Sequence, residues 1–277
     1  MLVNHLLLSG GGSKGILFIG VLDALEKSSE ITLELDSITG VSIGAIIGTL
    51  YCINYTAFEL TEIVLSQNLS KLSDVRFLNI IKKYGIDSGD NIVKWIQSLF
   101  IKKDLSIDIT FQELYNITKI HLKIVTTNLT CSTQEIFEYE KHPDVSVITA
   151  LRMSMSIPFV FNYVKYNECV YSDGCIIDNF PIHLFSNILE NTLGLEIVTN
   201  LTKQQPDFSI QKYVQSILNC VSIQKKHYIS DMYSRHTLTT FCDFLQDIDF
   251  SMSTSDKLKC IDLGYSHTLS FIHTYIH

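Results

Sequence analysis

A serine between two glycines carries the strongest chemical signal in this chain. Gly40-Val-Ser42-Ile-Gly44 follows residues 33–39, which suit a short buried strand, and precedes residues 45–51, whose apolar positions recur at helical spacing. A strand that turns sharply into a helix through Gly-x-Ser-x-Gly is a nucleophile elbow, in which the glycines permit close backbone approach. The helix N-terminus beneath the serine favours developing negative charge. We therefore predict that Ser42 is a nucleophile.

A glycine-rich loop follows the first predicted strand, which covers residues 2–8. The loop reads Ser-Gly-Gly-Gly-Ser-Lys-Gly over residues 9–15, and a helical stripe of apolar residues then continues to about residue 27. A strand, a glycine loop and a helix in this order make a cradle of backbone N–H groups that point at an anion.

Two functions are possible for this loop. Its glycines at 10, 12 and 15 satisfy the dinucleotide-binding fingerprint, and Glu34 or Asp36 lies about 20 residues further on. The alternative is an oxyanion hole, where such N–H groups stabilise a tetrahedral intermediate by about 3–4 kcal/mol per donor. The end of the second strand favours hydrolase chemistry, because Gly-x-Ser-x-Gly stands where a dinucleotide site needs a ribose-binding acid.

A serine nucleophile also needs a general base. None of the nine histidines sits in a recognisable motif, although His183, His227 and His236 come late enough to belong to an Asp–His triad. Asp173-Gly174 follows a predicted hairpin over 159–171, but an Asp-Gly pair is more often a plain turn. From the residues alone, both kinds of base stay open.

Periodicity and capping predict the remaining elements. Helices are expected over 56–71, 90–100, 110–115 and 147–155, and strands over 122–128 and 135–139. Thr110 and Glu113 form a capping-box pattern. Helical spacing returns over 210–232, and two closing helices are expected over 256–263 and 265–275, with Gly264 as the C-cap between them.

Composition limits the compartment and the partners. The chain has 277 residues, of which 46% are hydrophobic and 18% charged, and it shows no linker or repeat, so one compact domain over 1–277 is expected. Its net charge of −8, with no basic run beyond a pair, argues against nucleic acid. Seven scattered cysteines without Cys-x-x-Cys, and an N-terminus unlike a signal peptide, indicate a cytoplasmic protein.

A transmembrane helix is the alternative for the region around Ser42. Residues 37–58 carry no charged side chain and could span a bilayer, and Gly40, Gly44 and Gly48 repeat at a helix-dimer spacing. Polar residues dilute this run, however, and its flanks show no Lys or Arg bias. We expect no transmembrane span.

Three motifs in order make the chain resemble the patatin-like phospholipase family. They are Gly-Gly-Gly-x-Lys-Gly at 10–15, Gly-x-Ser-x-Gly at 40–44 and Asp-Gly at 173–174. Further matches lie between and after them, at residues 110–114, 122–129, 150–158 and in Asn179-Phe-Pro181. The resemblance spans roughly residues 3–200.

The resemblance implies a three-layer α/β/α sandwich with a mostly parallel central sheet. Residues 201–277, where the resemblance thins, are expected to add a strand and closing helices to the same domain. It implies a Ser–Asp dyad without histidine, with Ser42 as nucleophile between Gly40 and Gly44, and Asp173 as base beside Gly174. The implied oxyanion loop comprises Gly10, Gly11, Gly12, Lys14 and Gly15. Cys175 departs from the Gly or Ala usual in the family, which bears on the fine geometry of the site.

The implied activity is that of a phospholipase A-type lipid acyl hydrolase. Its partner would be a phospholipid or other acyl-ester lipid at a membrane surface, cleaved without calcium or any cofactor. The sequence agrees to the extent that no EF-hand cluster and no zinc-like His/Cys spacing is found. A general carboxylesterase or transacylase would share every motif. A non-catalytic lipid-binding protein is the alternative from another class, although all three motifs are intact.

Overall fold

Strands and helices alternate along most of the chain. The computed structural model describes residues 1–75, 83–198, 216–217, 233–245 and 249–276. The strands are β1 (Leu2–Leu8), β2 (Thr32–Val41), β3 (Gly85–Asp87), β4 (His121–Asn128), β5 (Thr133–Phe137), β6 (Phe159–Phe161), β7 (Val164–Tyr166), β8 (Cys169–Asp173), β9 (Thr192–Val198) and β10 (Thr237–Phe241). The helices are α1 (Leu17–Lys27), α2 (Ile43–Cys52), α3 (Ala57–Ser66), α4 (Asp90–Lys102), α5 (Phe111–Thr118), α6 (Val147–Ser154) and α7 (Thr254–Tyr275).

Eight of these strands form the central sheet. The path of hydrogen-bonded neighbours runs β10–β9–β1–β2–β4–β8–β7, and β5 also pairs with β4. β1, β2, β4, β9 and β10 are parallel, whereas β5, β7 and β8 pair antiparallel. Side chains alternate across β1, so Leu6 and Leu8 join the main core while Leu7 packs with Phe180 and Ile182 on the other face. Both faces are covered, and the predicted three-layer sandwich is confirmed.

Strands β2 and β8 lie end to end along one edge of β4. The other edge of β4 is occupied by β5, which pairs continuously from Ile124 to Asn128. On the shared edge, the last residue of β2 lies opposite Val125 and the last residue of β8 opposite Thr126. Because neighbouring residues of a strand are about 3.3 Å apart, the two strand ends meet. This register brings Ser42, which follows β2, next to Asp173, which ends β8.

Most predicted elements are present with shifted ends, and the hairpin prediction is partly wrong. Both capping-box hydrogen bonds of Thr110 and Glu113 form at the start of α5. β6, which we expected in the hairpin over 159–171, instead pairs with β3 in a separate two-stranded sheet. Only β7 and β8 form the hairpin. The N–H groups of Phe159 and Asn162, on either side of this pairing, bond to the carbonyls of Tyr84 and Asp87, which hold β6 beside β3.

The predicted C-cap at Gly264 is also wrong. α7 continues unbroken through Gly264, which is buried against α1. A Cβ at Gly264 would overlap the carbonyl oxygen of Leu17, and a Cβ at Gly20 would overlap that of Ile261. The two glycines therefore allow the helix backbones to approach closely, which is why a glycine occurs in the middle of a helix here.

The uncharged run around Ser42 is divided between β2 and α2, which follow one another across the elbow. No helix in the described ranges is both long and apolar enough to cross a bilayer. The helix that we predicted over 210–232 lies outside the described residues except for 216–217. The six cysteines that the structure describes are all free thiols.

Candidate active site

Ser42 occupies a sharp turn between β2 and α2. Its backbone has φ 54° and ψ −122°, a conformation that non-glycine residues rarely adopt. The flanking glycines are needed for space, because a Cβ at Gly40 would overlap Ala45 and one at Gly44 would overlap the carbonyl oxygens of Leu8 and Ser9. The local geometry is that of a nucleophile elbow, with Ser42 only 5% exposed.

Ser154, at the end of α6, holds the elbow from the other side. Its hydroxyl accepts a hydrogen bond from the backbone N–H of Ser42 at 2.9 Å and donates one to the carbonyl of Val125 at 2.7 Å. A buried N–H without an acceptor costs about 1–3 kcal/mol, so this hydroxyl stabilises the turn. Sequence reasoning missed Ser154. The only available signal was its place in a segment already matched to the family, residues 150–158.

The side chains of Ser42 and Asp173 are in direct contact. Ser42 Oγ donates a hydrogen bond to Asp173 Oδ2 at 2.6 Å, which is short and typical of a hydroxyl bound to a carboxylate. The other carboxylate oxygen, Oδ1, accepts from the backbone N–H of Cys175 at 2.9 Å. The position where this chain departs from the family therefore contributes its backbone to the carboxylate.

Asp173 is completely buried and its backbone is fixed on both sides. Its N–H donates to the carbonyl of Ser156 at 3.0 Å, and its carbonyl accepts from Thr127 Oγ1 at 2.8 Å. Burial raises the pKa of Asp173 to about 6, against the hydrogen bonds from Ser42 and Cys175, which lower it. A carboxylate with such a pKa is a better proton acceptor than an exposed aspartate and is still ionised at neutral pH.

The glycine loop reaches the elbow through Gly10. A Cβ on Gly10 would lie 3.4 Å from the Cβ of Ser42 and would overlap Oδ1 of Asn179. Gly10 donates its N–H to the Asn179 carbonyl at 3.4 Å and accepts from Asn179 Nδ2 at 3.3 Å. Within the described ranges, the N–H groups of Gly11 and Gly12 have no acceptor. Two donors thus remain unused in the loop that approaches Ser42.

Gly15 and Lys14 occupy different surroundings in this loop. Gly15 packs against the side chain of Ile43, so a Cβ there would push the loop away from α2. Lys14 is 1% exposed. It lies close enough to the buried thiols of Cys242 and Cys260 for its positive charge to favour their ionised forms. The long side chain of Lys14 is therefore inside the protein and not in solvent.

The histidines do not complete a triad with Asp173 in the part of the chain that is described. His183 lies beside a different carboxylate, with its Nδ1 3.5 Å from Asp178. His236 ends a short helical turn just before β10. The carboxylate of Asp173 is engaged by Ser42 and Cys175 instead. His227 lies outside the described residues.

The dinucleotide interpretation of the loop is not supported by the positions of Glu34 and Asp36. Both side chains are exposed in the first half of β2. Asp36 is five residues before the end of that strand, about 17 Å from the glycine loop that lies beside the strand's other end. A ribose held by the loop would be out of reach of this carboxylate.

One group of described side chains has ligand atoms close enough for a metal ion, but it lies away from Ser42. His121, Glu138 and Glu140 place their ligand atoms within 4.8 Å of one another. Glu138 already contacts His121 at 2.9 Å and Lys141 at 2.6 Å, and these hydrogen bonds, with His121 first, lower its pKa to about 2. His121 begins β4, about 17 Å before Thr126, which faces Asp173. Glu138 is thus already engaged by other side chains of the protein.

Comparison with known proteins identifies the family. The family model described as patatin-like phospholipase matches residues 6–186. The chain belongs to the patatin-like phospholipase family. This match contains the glycine loop, the elbow and Asp173. Membership supports lipid ester hydrolysis as the class of activity.

Two individual relatives are consistent with this family, and each matches this chain over part of its own length. The chain is 32% identical over 187 residues to "Probable lipid hydrolase 463L" of Invertebrate iridescent virus 6, covering 65% of this chain and 62% of that protein. It is 28% identical over 177 residues to "Lysophospholipase NTE1" of Scheffersomyces stipitis, covering 64% of this chain but 10% of that protein. The matches span only part of these relatives' own lengths.

Among solved structures, VipD from Legionella pneumophila has a similar fold. The TM-score is 0.68 at 16% identity, over 99% of this chain and 67% of the VipD chain. At this identity the likeness bears on the fold alone.

Proposed function

We propose that this chain is a phospholipase A-type lipid acyl hydrolase with a Ser42–Asp173 dyad. The observation that carries the proposal is the 2.6 Å hydrogen bond from Ser42 Oγ to the buried carboxylate of Asp173. In the proposed reaction Asp173 removes the hydroxyl proton as Oγ attacks the carbonyl carbon of an ester. The tetrahedral intermediate then collapses, the alcohol leaves with the proton from Asp173, and the acyl group stays on Ser42.

The second half of the reaction uses the same two residues. Water enters, Asp173 takes its proton, and the hydroxide attacks the acyl-Ser42 carbonyl, which releases the fatty acid and returns a proton to Ser42. In both halves the oxyanion would lie against the glycine loop. Gly11 and Gly12 are the proposed donors, because their N–H groups have no acceptor among the described residues, and Gly10, Lys14 and Gly15 maintain the loop that carries them.

Calcium is not required in this scheme, because backbone N–H groups stabilise the charge that develops on the ester oxygen. The substrate is proposed to be a glycerophospholipid or another acyl-ester lipid at a membrane surface. We further propose that residues 1–277 form a single domain and work on the cytoplasmic side. A general carboxylesterase or transacylase remains the second candidate, since the same dyad would serve it.

Labelling by a fluorophosphonate ester probe tests the proposed nucleophile. Wild type in a buffer with calcium chelator is expected to be labelled, whereas Ser42→Ala is not, since no other activated hydroxyl is proposed. Ser98→Ala, which removes an exposed hydroxyl on α4, is the matched control and should label like wild type. Unlabelled, well-folded wild type, with and without lipid vesicles, would favour the non-catalytic lipid-binding alternative. Product analysis with an added alcohol acceptor separates hydrolysis from acyl transfer.

The raised pKa of Asp173 predicts the pH dependence of activity. The base must be ionised, so kcat/KM for a soluble short-chain p-nitrophenyl ester should fall tenfold per pH unit below a midpoint near the pKa of about 6. An unperturbed aspartate would put this midpoint at about 4. Fluorescence of the single tryptophan, recorded at each pH, verifies that the protein stays folded. A profile that is flat down to about pH 4 would contradict Asp173 as the base.

A further inference from the structure

Two exposed aromatic residues in the described chain have a backbone conformation that disfavours them. Nine non-glycine residues have positive φ among the described residues, and the aromatic ones are Tyr84 (φ 55°) and Phe159 (φ 63°). Bulky side chains are the least suited to this region, where Gly, Asn or Asp would be less strained. Tyr84 is 62% exposed and Phe159 47% exposed. Burial within the protein therefore does not compensate for the strain.

The two residues are neighbours and belong to one surface. Phe159 donates its N–H to the carbonyl of Tyr84 at 3.1 Å, and the ring of Tyr84 lies 5.8 Å from the ring of Tyr163. Lys165 places its Nζ 5.9 Å from the ring of Tyr163, and the exposed Lys83 precedes Tyr84. We call this surface the aromatic–basic patch; it consists of Lys83, Tyr84, Phe159, Tyr163 and Lys165.

The partly buried Arg152 connects the aromatic–basic patch to the candidate active site. Its guanidinium donates to the carbonyls of Ser88 at 2.7 Å and Asn162 at 2.9 Å, beside the ends of β3 and β6, and to Ser156 Oγ at 2.5 Å. The carbonyl of Ser156 accepts the N–H of Asp173. Phe159 is three residues from Ser156, so their Cα atoms are at most about 11 Å apart. Phe159 thus lies close to a residue that holds Asp173 in place.

We propose that the aromatic–basic patch docks on a phospholipid bilayer that contains anionic head groups. The proposal rests on the proposed function and specifies how the same site meets its substrate. Aromatic side chains such as those of Tyr84 and Phe159 enter the interfacial region of a bilayer, and nearby lysines bind lipid phosphates and carboxylates. Glu168 is the acidic residue in the turn of the same hairpin, so the patch remains cationic on a chain whose net charge is −8. The attraction to anionic lipid therefore comes from the lysines of this patch and not from the net charge of the protein.

Sedimentation with sucrose-loaded vesicles tests the docking independently of catalysis, when all proteins carry Ser42→Ala. The probes are vesicles of phosphatidylcholine alone and of phosphatidylcholine mixed with phosphatidylserine. Phe159→Asn and Tyr84→Asn should each reduce partitioning onto mixed vesicles about tenfold, since burying an aromatic side chain contributes at least that much. Lys165→Gln should reduce it about fivefold on mixed vesicles and leave binding to phosphatidylcholine unchanged.

The matched control is Phe58→Asn, which removes an aromatic side chain that is 70% exposed on α3. It should bind vesicles like the parent protein. Phe159→Asn and Tyr84→Asn should also raise the melting temperature, because asparagine tolerates positive φ, whereas a purely structural role of these side chains predicts a lower one. The proposal therefore predicts that Phe159→Asn and Tyr84→Asn are each more stable than the parent protein and bind vesicles more weakly.

Several outcomes would overturn the docking proposal. One is that the parent protein fails to sediment with the vesicles at all. Others are that the patch variants sediment as well as the parent protein, or that Phe58→Asn loses as much binding as the patch variants. A change in oligomeric state of Phe159→Asn without lipid would assign the patch to self-association instead. With Ser42 intact, the patch variants should still hydrolyse a soluble ester, so failure of docking is distinguishable from failure of the proposed function, which would abolish soluble ester hydrolysis in wild type too.

Discussion

Asp173→Asn is expected to lose nearly all ester hydrolysis while raising the free energy of unfolding at neutral pH. The asparagine side chain keeps the shape of the carboxylate and can still accept the N–H of Cys175, but it cannot take the proton of Ser42 Oγ. Loss of a general base lowers turnover by about 10²–10⁴-fold. Turnover of a soluble ester, measured on the purified variant, gives the size of the loss.

The expected gain in stability follows from the direction of the pKa shift. The folded protein has a pKa of about 6 at Asp173, against 3.8 for the unperturbed group, so it holds the proton more tightly than the unfolded chain. Ionisation of Asp173 therefore destabilises the wild type progressively between these two pKa values and fully above about 6. The full difference is about 3 kcal/mol, which the uncharged variant avoids.

Urea denaturation at about pH 8 and about pH 4 measures this difference. The stability of Asp173→Asn relative to wild type should be higher at the alkaline value by about 2.5 kcal/mol, because the unfolded aspartate is already partly ionised at about pH 4. Asp87→Asn is the control, because Asp87 is also buried but its two oxygens accept from Ser73, Asp74 and Gly89. That variant should keep its activity and lose stability. An active Asp173→Asn, or one whose relative stability does not vary with pH, would contradict the dyad as described.

The parts of the site that depend on local chain geometry were predictable from the sequence. Gly40, Ser42 and Gly44 define the elbow through their own spacing, and the glycine loop follows its strand directly, so both appear where the sequence indicates them. The fold class followed from the resemblance to the family, which these motifs carry. Asp173 was different, because an Asp-Gly pair is compatible with any turn. Only the resemblance to a family singled it out over the histidines.

What could not be predicted depends on contacts between distant segments. The end-to-end arrangement of β2 and β8 follows from the pairing of β4 on its two edges, which no local pattern encodes. Likewise, the hydroxyl of Ser154 and the amide of Asn179 meet the elbow and the glycine loop across more than a hundred residues of chain. Gly264 was misread for the same reason: glycine suits both a helix end and a close helix contact, and only the position of α1 decides.

Ser42→Gly is expected to be more stable than Ser42→Ala, although both are inactive. The two variants lack the hydroxyl and leave the carboxylate of Asp173 without that hydrogen bond, so they differ only in the Cβ. At φ 54° and ψ −122° a Cβ is strained by about 1–3 kcal/mol, whereas glycine adopts this conformation freely. The greater flexibility of glycine in the unfolded chain offsets about 0.5–1 kcal/mol of this gain. A net advantage of about 1 kcal/mol for Ser42→Gly should remain.

The same pair of substitutions at Ser98 shows what glycine does in an ordinary helix. Ser98 is exposed in the interior of α4, so Ser98→Gly should be about 1 kcal/mol less stable than Ser98→Ala. The sign of the Gly–Ala difference is therefore expected to reverse between the two sites, and urea denaturation of the four variants measures it. If Ser42→Gly were instead the less stable of its pair, the elbow would hold no strain. The unusual backbone of Ser42 would then be ordinary turn geometry.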